Sequence, residues 1–147
     1  MSVKLFVTDL DGTLLPSGKD VPCENIEAVQ QAVRAGVIVT IATGRMYRAA
    51  LPVAEALGVD VPIIPGIMPI AGFTKLARFS DACGAELPRW MRKKFESFGD
   101  DTDSIRAFGL DVVTELCERL LKGGAPGLHF YCMNQSALTT EICRRLS

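Results

Sequence analysis

The most informative segment of the sequence is Val7–Leu15, which reads VTDLDGTLL. Two carboxylates, Asp9 and Asp11, stand two residues apart where the apolar run Val3–Val7 meets a glycine turn. Because alternate side chains of a strand lie on one face, both carboxylates are expected to start on the same side. Gly12 lets the backbone turn tightly and approach an anion. Paired carboxylates at a strand end favour Mg²⁺, although an ordinary Asp-Gly surface turn is the alternative interpretation.

The composition excludes several classes of protein. At 147 residues the chain is expected to form a single α/β domain, residues 1–147. A formal net charge of −1 leaves no basic field to attract nucleic acid or an anionic membrane. The chain has no apolar run of about 20 residues and no signal-peptide pattern, so a cytoplasmic protein is expected. The five cysteines lack Cys-x-x-Cys spacing and predict neither a zinc site nor a disulfide framework.

Apolar patterning predicts a chain of about four βα units with a parallel sheet. Val3–Thr8 is apolar on both faces, as expected for a parallel strand covered by helices. Asn25 is expected to cap the first helix. Further strands are predicted at Val37–Ala42 and Val61–Ile64, and helices at Ile26–Arg34, Met46–Leu57, Arg89–Phe98 and Ser104–Leu121.

The second strand ends at Thr43-Gly44-Arg45. A hydroxyl, a flexible glycine and a guanidinium at the carboxyl end of a parallel strand can receive a phosphate, because ligands of open α/β sheets collect at that edge. The tripeptide alone is a common turn. Its position about thirty residues after Asp-x-Asp-Gly-Thr, across one helix, makes the combination specific.

Together these two motifs resemble the haloacid dehalogenase-like phosphatases, particularly the Cof-type branch, over residues of about 1–64. The resemblance implies that Asp9 is the nucleophile and Asp11 the acid–base. It also implies that Gly12, Thr43, Gly44 and Arg45 bind the phosphate. Mg²⁺ would bind the Asp9 carboxylate and the carbonyl of Asp11, so the metal site consists of these two residues.

From Pro65 onward the chain is similar instead to methylenetetrahydrofolate reductase, a flavin-dependent (βα)₈ TIM barrel. The matching stretches read PGIMPI (65–70), CGAELPRWM (83–91), GDDTDSIRAFG (99–109) and GLHFYCMNQ (127–135). They correspond to the last two βα units of that barrel. Asn134 and Gln135 match the place where the family contacts folate. FAD is not expected to bind, because a flavin needs the carboxyl ends of many barrel strands.

Two further stretches resemble the remaining phosphatase motifs. Gly72-Phe73-Thr74-Lys75 is similar to the third motif, a lysine at a helix start, and Gly99–Asp103 is similar to the fourth, an acidic metal-binding turn. The basic, amphipathic segment before Gly99–Asp103 does not fit a buried strand. Asp100–Asp103 is therefore expected to cap the next helix rather than to bind metal.

Two strand orders are compatible with these pieces. In the order 1-2-3-4, which is half of a TIM barrel, each strand keeps the neighbouring strand that it has in its own family. This order is slightly preferred over the Rossmann-like order 3-2-1-4. A half-barrel would expose an apolar sheet face and so predicts a homodimer.

The join near Ile64-Pro65 has no linker, which favours an engineered or recombined chimera. The first functional hypothesis is a scaffold without evolved activity that keeps a partial phosphate and Mg²⁺ site. The second is a weak Mg²⁺-dependent phosphomonoesterase, and the third is vestigial folate or flavin binding.

Overall fold

The computed structural model describes residues 3–16, 20–58, 60–83 and 86–147, with only the backbone of Ala82 and Cys83. Gly84 and Ala85, within the stretch 83–91 quoted above, lie outside these ranges. The elements follow in the order β1 (Leu5–Thr8), α1 (Cys23–Arg34), β2 (Ile38–Thr43), α2 (Tyr47–Ala56), β3 (Ile63–Ile67), α3 (Phe73–Cys83), α4 (Arg89–Phe98), α5 (Thr102–Lys122), β4 (His129–Phe130) and α6 (Ser136–Leu146).

The strands form one four-stranded sheet in the order β1-β2-β3-β4. β1 pairs with β2 in parallel, with Leu5 beside Ile38, and β2 pairs with β3 in parallel, with Ile41 beside Ile63. The order confirms the predicted α/β fold with half-TIM-barrel connectivity. It excludes the alternative order 3-2-1-4.

The chain divides into two compact units. Unit 1 contains residues 1–67 and 121–129, and unit 2 contains residues 68–120 and 130–147. The single-domain assignment stays a prediction. Among the described residues, no helix has the length and apolarity needed to span a bilayer.

The core of unit 1 lies where β2 meets α1, α2 and the loop after β1. Val39 and Ile41 of β2 pack with Val29 of α1 and Val53 of α2, and all four are buried. Ile41 is fully buried, as expected for a strand with a neighbour on each side. The predicted strand Val37–Ala42 is thereby confirmed to within a residue at each end.

Two local expectations for the first βα unit are wrong. β1 is an edge strand, and Leu5, Phe6 and Val7 are between 44% and 55% exposed rather than covered on both faces. Asn25 does not cap α1, which begins at Cys23 after Pro22; its side-chain amide instead donates to the Leu14 carbonyl at 3.0 Å. The predicted homodimer through an exposed sheet face stays a prediction.

Unit 2 is organised around an aromatic cluster on α3, α4 and α5. Phe95, which is 1% exposed, stacks on Phe73 with ring centroids 5.4 Å apart and meets Phe108 edge-on at 5.1 Å. Trp90 and Phe98 contact the same Phe108 ring. Aromatic pairs at these distances add to the stability that burial alone gives.

In unit 2, α5 lies so close to the loop after β3 that position 109 must be glycine. A Cβ added at Gly109 would lie 2.8 Å from the Ile70 Cβ and 2.8 Å from the Ile70 carbonyl oxygen. Neither backbone can move away without shifting the helix or the loop, so this contact requires glycine.

We expect Gly109→Ala to lower the free energy of unfolding by about 1–2 kcal/mol, since the cost of overpacking exceeds the helix-propensity gain of about 1 kcal/mol. Urea titration followed by circular dichroism measures the change. Gly72→Ala is the matched control, because a Cβ there meets nothing within 4 Å. Equal stability of the Gly109→Ala variant and the parent protein would show that the helix and the loop are not packed this closely.

Candidate functional site

The loop after β1, which carries Asp9 and Asp11, is anchored in the core of unit 1 by three leucines. Leu10, Leu14 and Leu15 are 0%, 5% and 2% exposed. The Leu15 N–H donates to the Leu10 carbonyl at 2.8 Å, and the Leu14 N–H donates to the Asp9 carbonyl at 3.3 Å. The two carboxylates are exposed, but they lie on a hydrogen-bonded turn that the three buried leucines anchor in the core.

Gly12 makes this turn possible. Its φ of +75° lies in the left-handed region that favours glycine, and its N–H donates to the Leu15 carbonyl at 3.0 Å. A side chain at this position would strain the backbone that connects Asp11 to the buried Leu14. The tight turn expected from the sequence is therefore present, and the Gly12 N–H forms a hydrogen bond within the loop.

The other half of the candidate site follows β2. Thr43, which is 1% exposed, ends the strand, and its Oγ1 accepts the Arg45 N–H at 3.1 Å. A hydroxyl that accepts one hydrogen bond can also donate one to an anion. Because β1 and β2 are parallel neighbours, the loops after them lie at the same edge of the sheet.

The two halves meet through an ion pair between Arg45 and Asp11. Arg45 Nε donates to Asp11 Oδ2 at 2.9 Å, and Arg45 Nη2 donates to Asp11 Oδ1. This is the bidentate geometry in which a guanidinium binds a carboxylate most strongly. The hydrogen bond from Arg45 lowers the pKa of Asp11 despite the opposing effect of partial burial, and the charge of Arg45 lowers it further.

The same contact raises the pKa of Arg45. The hydrogen bond to Asp11 is the main cause, and the charges of Asp11 and Asp9 add to it. Asp9 Oδ1 accepts the N–H of Leu10 at 2.7 Å, which orients its carboxylate beside the turn. The structure therefore brings Asp9, Asp11, Thr43 and Arg45 together, whereas their roles in phosphate and Mg²⁺ binding stay predictions.

The donor set of the candidate site fits Mg²⁺ only in part. Within the described ranges, no group of three or more His, Cys, Asp or Glu side chains is placed to hold a metal. Both carboxylate oxygens of Asp11 are occupied by Arg45, which leaves the Asp9 carboxylate and the Asp11 carbonyl as protein ligands. Mg²⁺ usually keeps several waters and binds through one or two carboxylates, so these two groups would supply only part of its coordination shell.

The look-alike of the fourth phosphatase motif is a helix cap, as predicted. Asp101 Oδ1 accepts the N–H groups of Asp103 and Ser104 at 3.2 and 3.1 Å, and Asp101 Oδ2 accepts the Ser104 hydroxyl. These hydrogen bonds lower the pKa of Asp101, with the Ser104 hydroxyl as the main cause. Asp101 therefore begins α5 by satisfying its first amides.

Lys75, the look-alike of the third motif, lies in α3 of unit 2 and lines a cavity there together with Arg106 and Gln135. Lys75 and Gln135 belong to motifs that were recognised in the sequence, whereas Arg106 was missed. The position of Arg106 after the Asp101 cap predicts that it lies in a helix, but not that it lines the cavity.

Two family models match the chain. Methylenetetrahydrofolate reductase matches residues 43–147, which is more than half of the chain, and haloacid dehalogenase-like hydrolase matches residues 6–68, which is less than half. The two matches overlap over residues 43–68, which contain the end of β2, α2 and β3.

Curated relatives match the later part of the chain. The 5,10-methylenetetrahydrofolate reductase of Escherichia coli (strain K12) is 32% identical over 89 residues, which are 60% of this chain and 30% of that protein. The enzyme of Buchnera aphidicola subsp. Acyrthosiphon pisum is 35% identical over 88 residues, with the same shares. The chain thus spans about 30% of the length of these relatives.

One solved structure is an uncharacterized protein from Clostridium thermocellum that binds two copies of 5-methyl-5,6,7,8-tetrahydrofolic acid. The match covers 82% of this chain and 46% of the Clostridium thermocellum chain, at 19% sequence identity. The TM-score of 0.37 is too low to support an argument about fold or ligand.

We predict that Arg45→Met will raise the pKa of Asp11 back toward its ordinary value of about 4. Carbon-13 NMR of the carboxyl group measures this titration directly. Since the folded-state pKa is depressed, the pair stabilises the fold above the unfolded-state pKa, and this stabilisation is lost as pH falls through the folded-state pKa. It should stay below about 1 kcal/mol, because both side chains are partly exposed.

Arg48→Met is the matched control for this titration, since it removes an equal charge from an exposed position in α2. If both variants moved the Asp11 pKa equally, general charge rather than the bidentate contact would be the cause.

Proposed function

The chain belongs to the methylenetetrahydrofolate reductase family, and we propose that it is a recombined α/β scaffold without evolved turnover that keeps part of a phosphate and Mg²⁺ site. The candidate residues are Asp9 and Asp11 at the end of β1, with Gly12 in the turn between the strand and the core. Thr43, Gly44 and Arg45 supply the receptor for the anion.

The overlap of the two family matches supports recombination. Natural domains are joined in exposed linkers, whereas the overlap at 43–68 contains a whole αβ piece, α2 and β3, with Val53 and Ala54 in the core. A parallel strand–helix–strand unit occurs in both families, so recombination within this unit leaves the pairing between neighbouring strands unchanged. Reductase activity is not part of the proposal, since the matched part is about 30% of the bacterial relatives.

The observation that carries the proposal is the bidentate contact of Arg45 with Asp11. The phosphatase resemblance gives Asp11 the role of a general acid, which must hold a proton to protonate the leaving group. A carboxyl with the ordinary pKa of aspartate is already ionised near neutral pH, and Arg45 lowers the pKa of Asp11 from that value, which opposes protonation further. The guanidinium also has its donors turned toward Asp11 rather than toward an incoming phosphate.

The alternative is a weak Mg²⁺-dependent phosphomonoesterase. It is supported by the positions of Asp9, which influences the pKa of Arg45, and of Thr43, whose hydroxyl lies next to the Arg45 amide. In that case Mg²⁺ would bind the Asp9 carboxylate and the Asp11 carbonyl, with water in the remaining positions, and would offset the charge of a phosphate.

Hydrolysis of p-nitrophenyl phosphate with Mg²⁺ separates the two functions. The scaffold proposal predicts equal rates for the parent protein and Asp9→Asn, because no step depends on the Asp9 nucleophile. Both proteins are purified by the same procedure, so a contaminating phosphatase contributes equally to each. A parent rate about tenfold or more above that of Asp9→Asn, with saturation by substrate, would establish the phosphomonoesterase instead.

Folate or flavin binding and homodimer formation stay predictions. Gln135, at the place where the family contacts folate, does line the cavity of unit 2. The homodimer would use the exposed apolar side chains of β1 and its neighbour, among them Leu5, Phe6 and Ile38.

A further inference from the structure

The pair Asp11-Gly12 has a chemistry that is separate from phosphate or metal binding. It is the only place in the sequence where glycine follows an aspartate or an asparagine. Because glycine has no side chain, nothing on it shields its backbone nitrogen from the carboxyl carbon of the preceding residue. The Asp11 side chain is 61% exposed, so water reaches it as well. Asp-Gly is the dipeptide in which an aspartate isomerises to isoaspartate most readily.

The isomerisation is a ring closure followed by hydrolysis. The Gly12 nitrogen attacks Asp11 Cγ, and a C–N bond forms. One carboxyl oxygen leaves as water with the amide proton and a proton from solvent, which gives a succinimide ring. Water then attacks the main-chain carbonyl carbon of Asp11, the ring opens, and the new carboxyl group returns its proton to solvent. The product is isoaspartate, which has the same mass as aspartate and a main chain that runs through Cβ and Cγ.

In the folded protein, Arg45 holds the group that would be attacked. Arg45 Nε donates to Asp11 Oδ2 at 2.9 Å, and Arg45 Nη2 donates to Asp11 Oδ1. Two parallel hydrogen bonds from one guanidinium fix the plane of the carboxylate as well as its position. Ring closure rotates this plane and removes one of the two oxygens, so at least one of the hydrogen bonds must break before the succinimide forms.

The attacking nitrogen is held by a different partner. The Gly12 N–H donates to the Leu15 carbonyl at 3.0 Å, and Leu15 is 2% exposed in the core of unit 1. The nitrogen must lose this proton to become a nucleophile, and the hydrogen bond keeps the amide directed into the loop. The two reacting groups are therefore restrained separately, the nitrogen from within the loop and the carboxylate from the end of β2.

We propose that Asp11-Gly12 is a latent site of isoaspartate formation and that Arg45 suppresses the reaction by holding both oxygens of the Asp11 carboxylate. The proposal goes beyond the proposed function, because it requires neither phosphate nor Mg²⁺ nor turnover. It gives Arg45 a task in a chain without catalysis. Isoaspartate would add one carbon to the main chain inside the turn that joins Asp11 to the buried Leu14, so this modification would disrupt the loop.

The test follows isoaspartate in the full chain during weeks at physiological temperature and neutral pH, in a buffer without phosphate. Trypsin releases residues 5–19 as one peptide, which contains both Asp9 and Asp11. Chromatography separates the isomeric peptides, and fragmentation by electron transfer locates isoaspartate to one residue. Asp9 is the internal reference, because it precedes Leu10 rather than a glycine and should stay unmodified.

Arg45→Met should accumulate isoaspartate at position 11 about three- to fivefold faster than the parent protein, the factor expected when a partly exposed ion pair no longer adds to the barrier. Arg45→Lys keeps the charge without the two parallel donors, and its rate should fall between these two. Arg48→Met is the matched control, since it removes an exposed cation of α2, and it should isomerise at the parent rate. Circular dichroism establishes that each variant is folded.

Equal rates in the parent protein and in folded Arg45→Met would overturn the proposal. So would a rise with Arg48→Met as large as that with Arg45→Met, because general charge would then be the cause. Hydrogen exchange at the Gly12 amide is measured in the same samples and should be unchanged by Arg45→Met. If exchange at Gly12 rose by the same factor as isomerisation, opening of the loop would explain the rate, and the assigned role of Arg45 would be wrong.

Discussion

The burial of Leu10, Leu14 and Leu15 is the interaction on which the candidate site depends. Full burial of each such side chain contributes about 1.5–3 kcal/mol, so the loop after β1 is part of the core of unit 1 and not a surface appendage. The same burial that stabilises the fold therefore positions Asp9 and Asp11. Their geometry is therefore set by the folding of unit 1 and does not require that any reaction depends on it.

The parallel pairing of β1 with β2 supplies the second half of the site. It brings the turn after Thr43 to the edge where Asp11 stands, and the positive charge of Arg45 is then attracted to the nearest carboxylate. In a phosphatase an arriving phosphate would compete for that guanidinium. Here Asp11 binds that guanidinium, which is the contact on which the proposed scaffold function rests.

Periodicity predicted the strands, and the positions of the motifs at strand ends predicted that Asp9, Asp11, Thr43 and Arg45 lie at one edge of the sheet. The preferred strand order came from the resemblance to the two families. Periodicity could not predict that β1 would be an exposed edge, because an apolar run looks the same at an edge and in the centre of a sheet. The Arg45–Asp11 pair joins residues 34 positions apart and follows from the strand register, not from local sequence. Arg106 was missed for the same reason, since only tertiary packing brings it to the cavity that Lys75 also lines.

The most direct test of this account is native-state hydrogen exchange at the amide of Leu15. That N–H donates to Leu10 at 2.8 Å and belongs to a residue that is 2% exposed. If the loop is part of the core, the amide should exchange only when unit 1 unfolds, with an opening free energy equal to that of the amides of β2. Exchange at the rate of an exposed loop, while the β2 amides stay protected, would contradict the account.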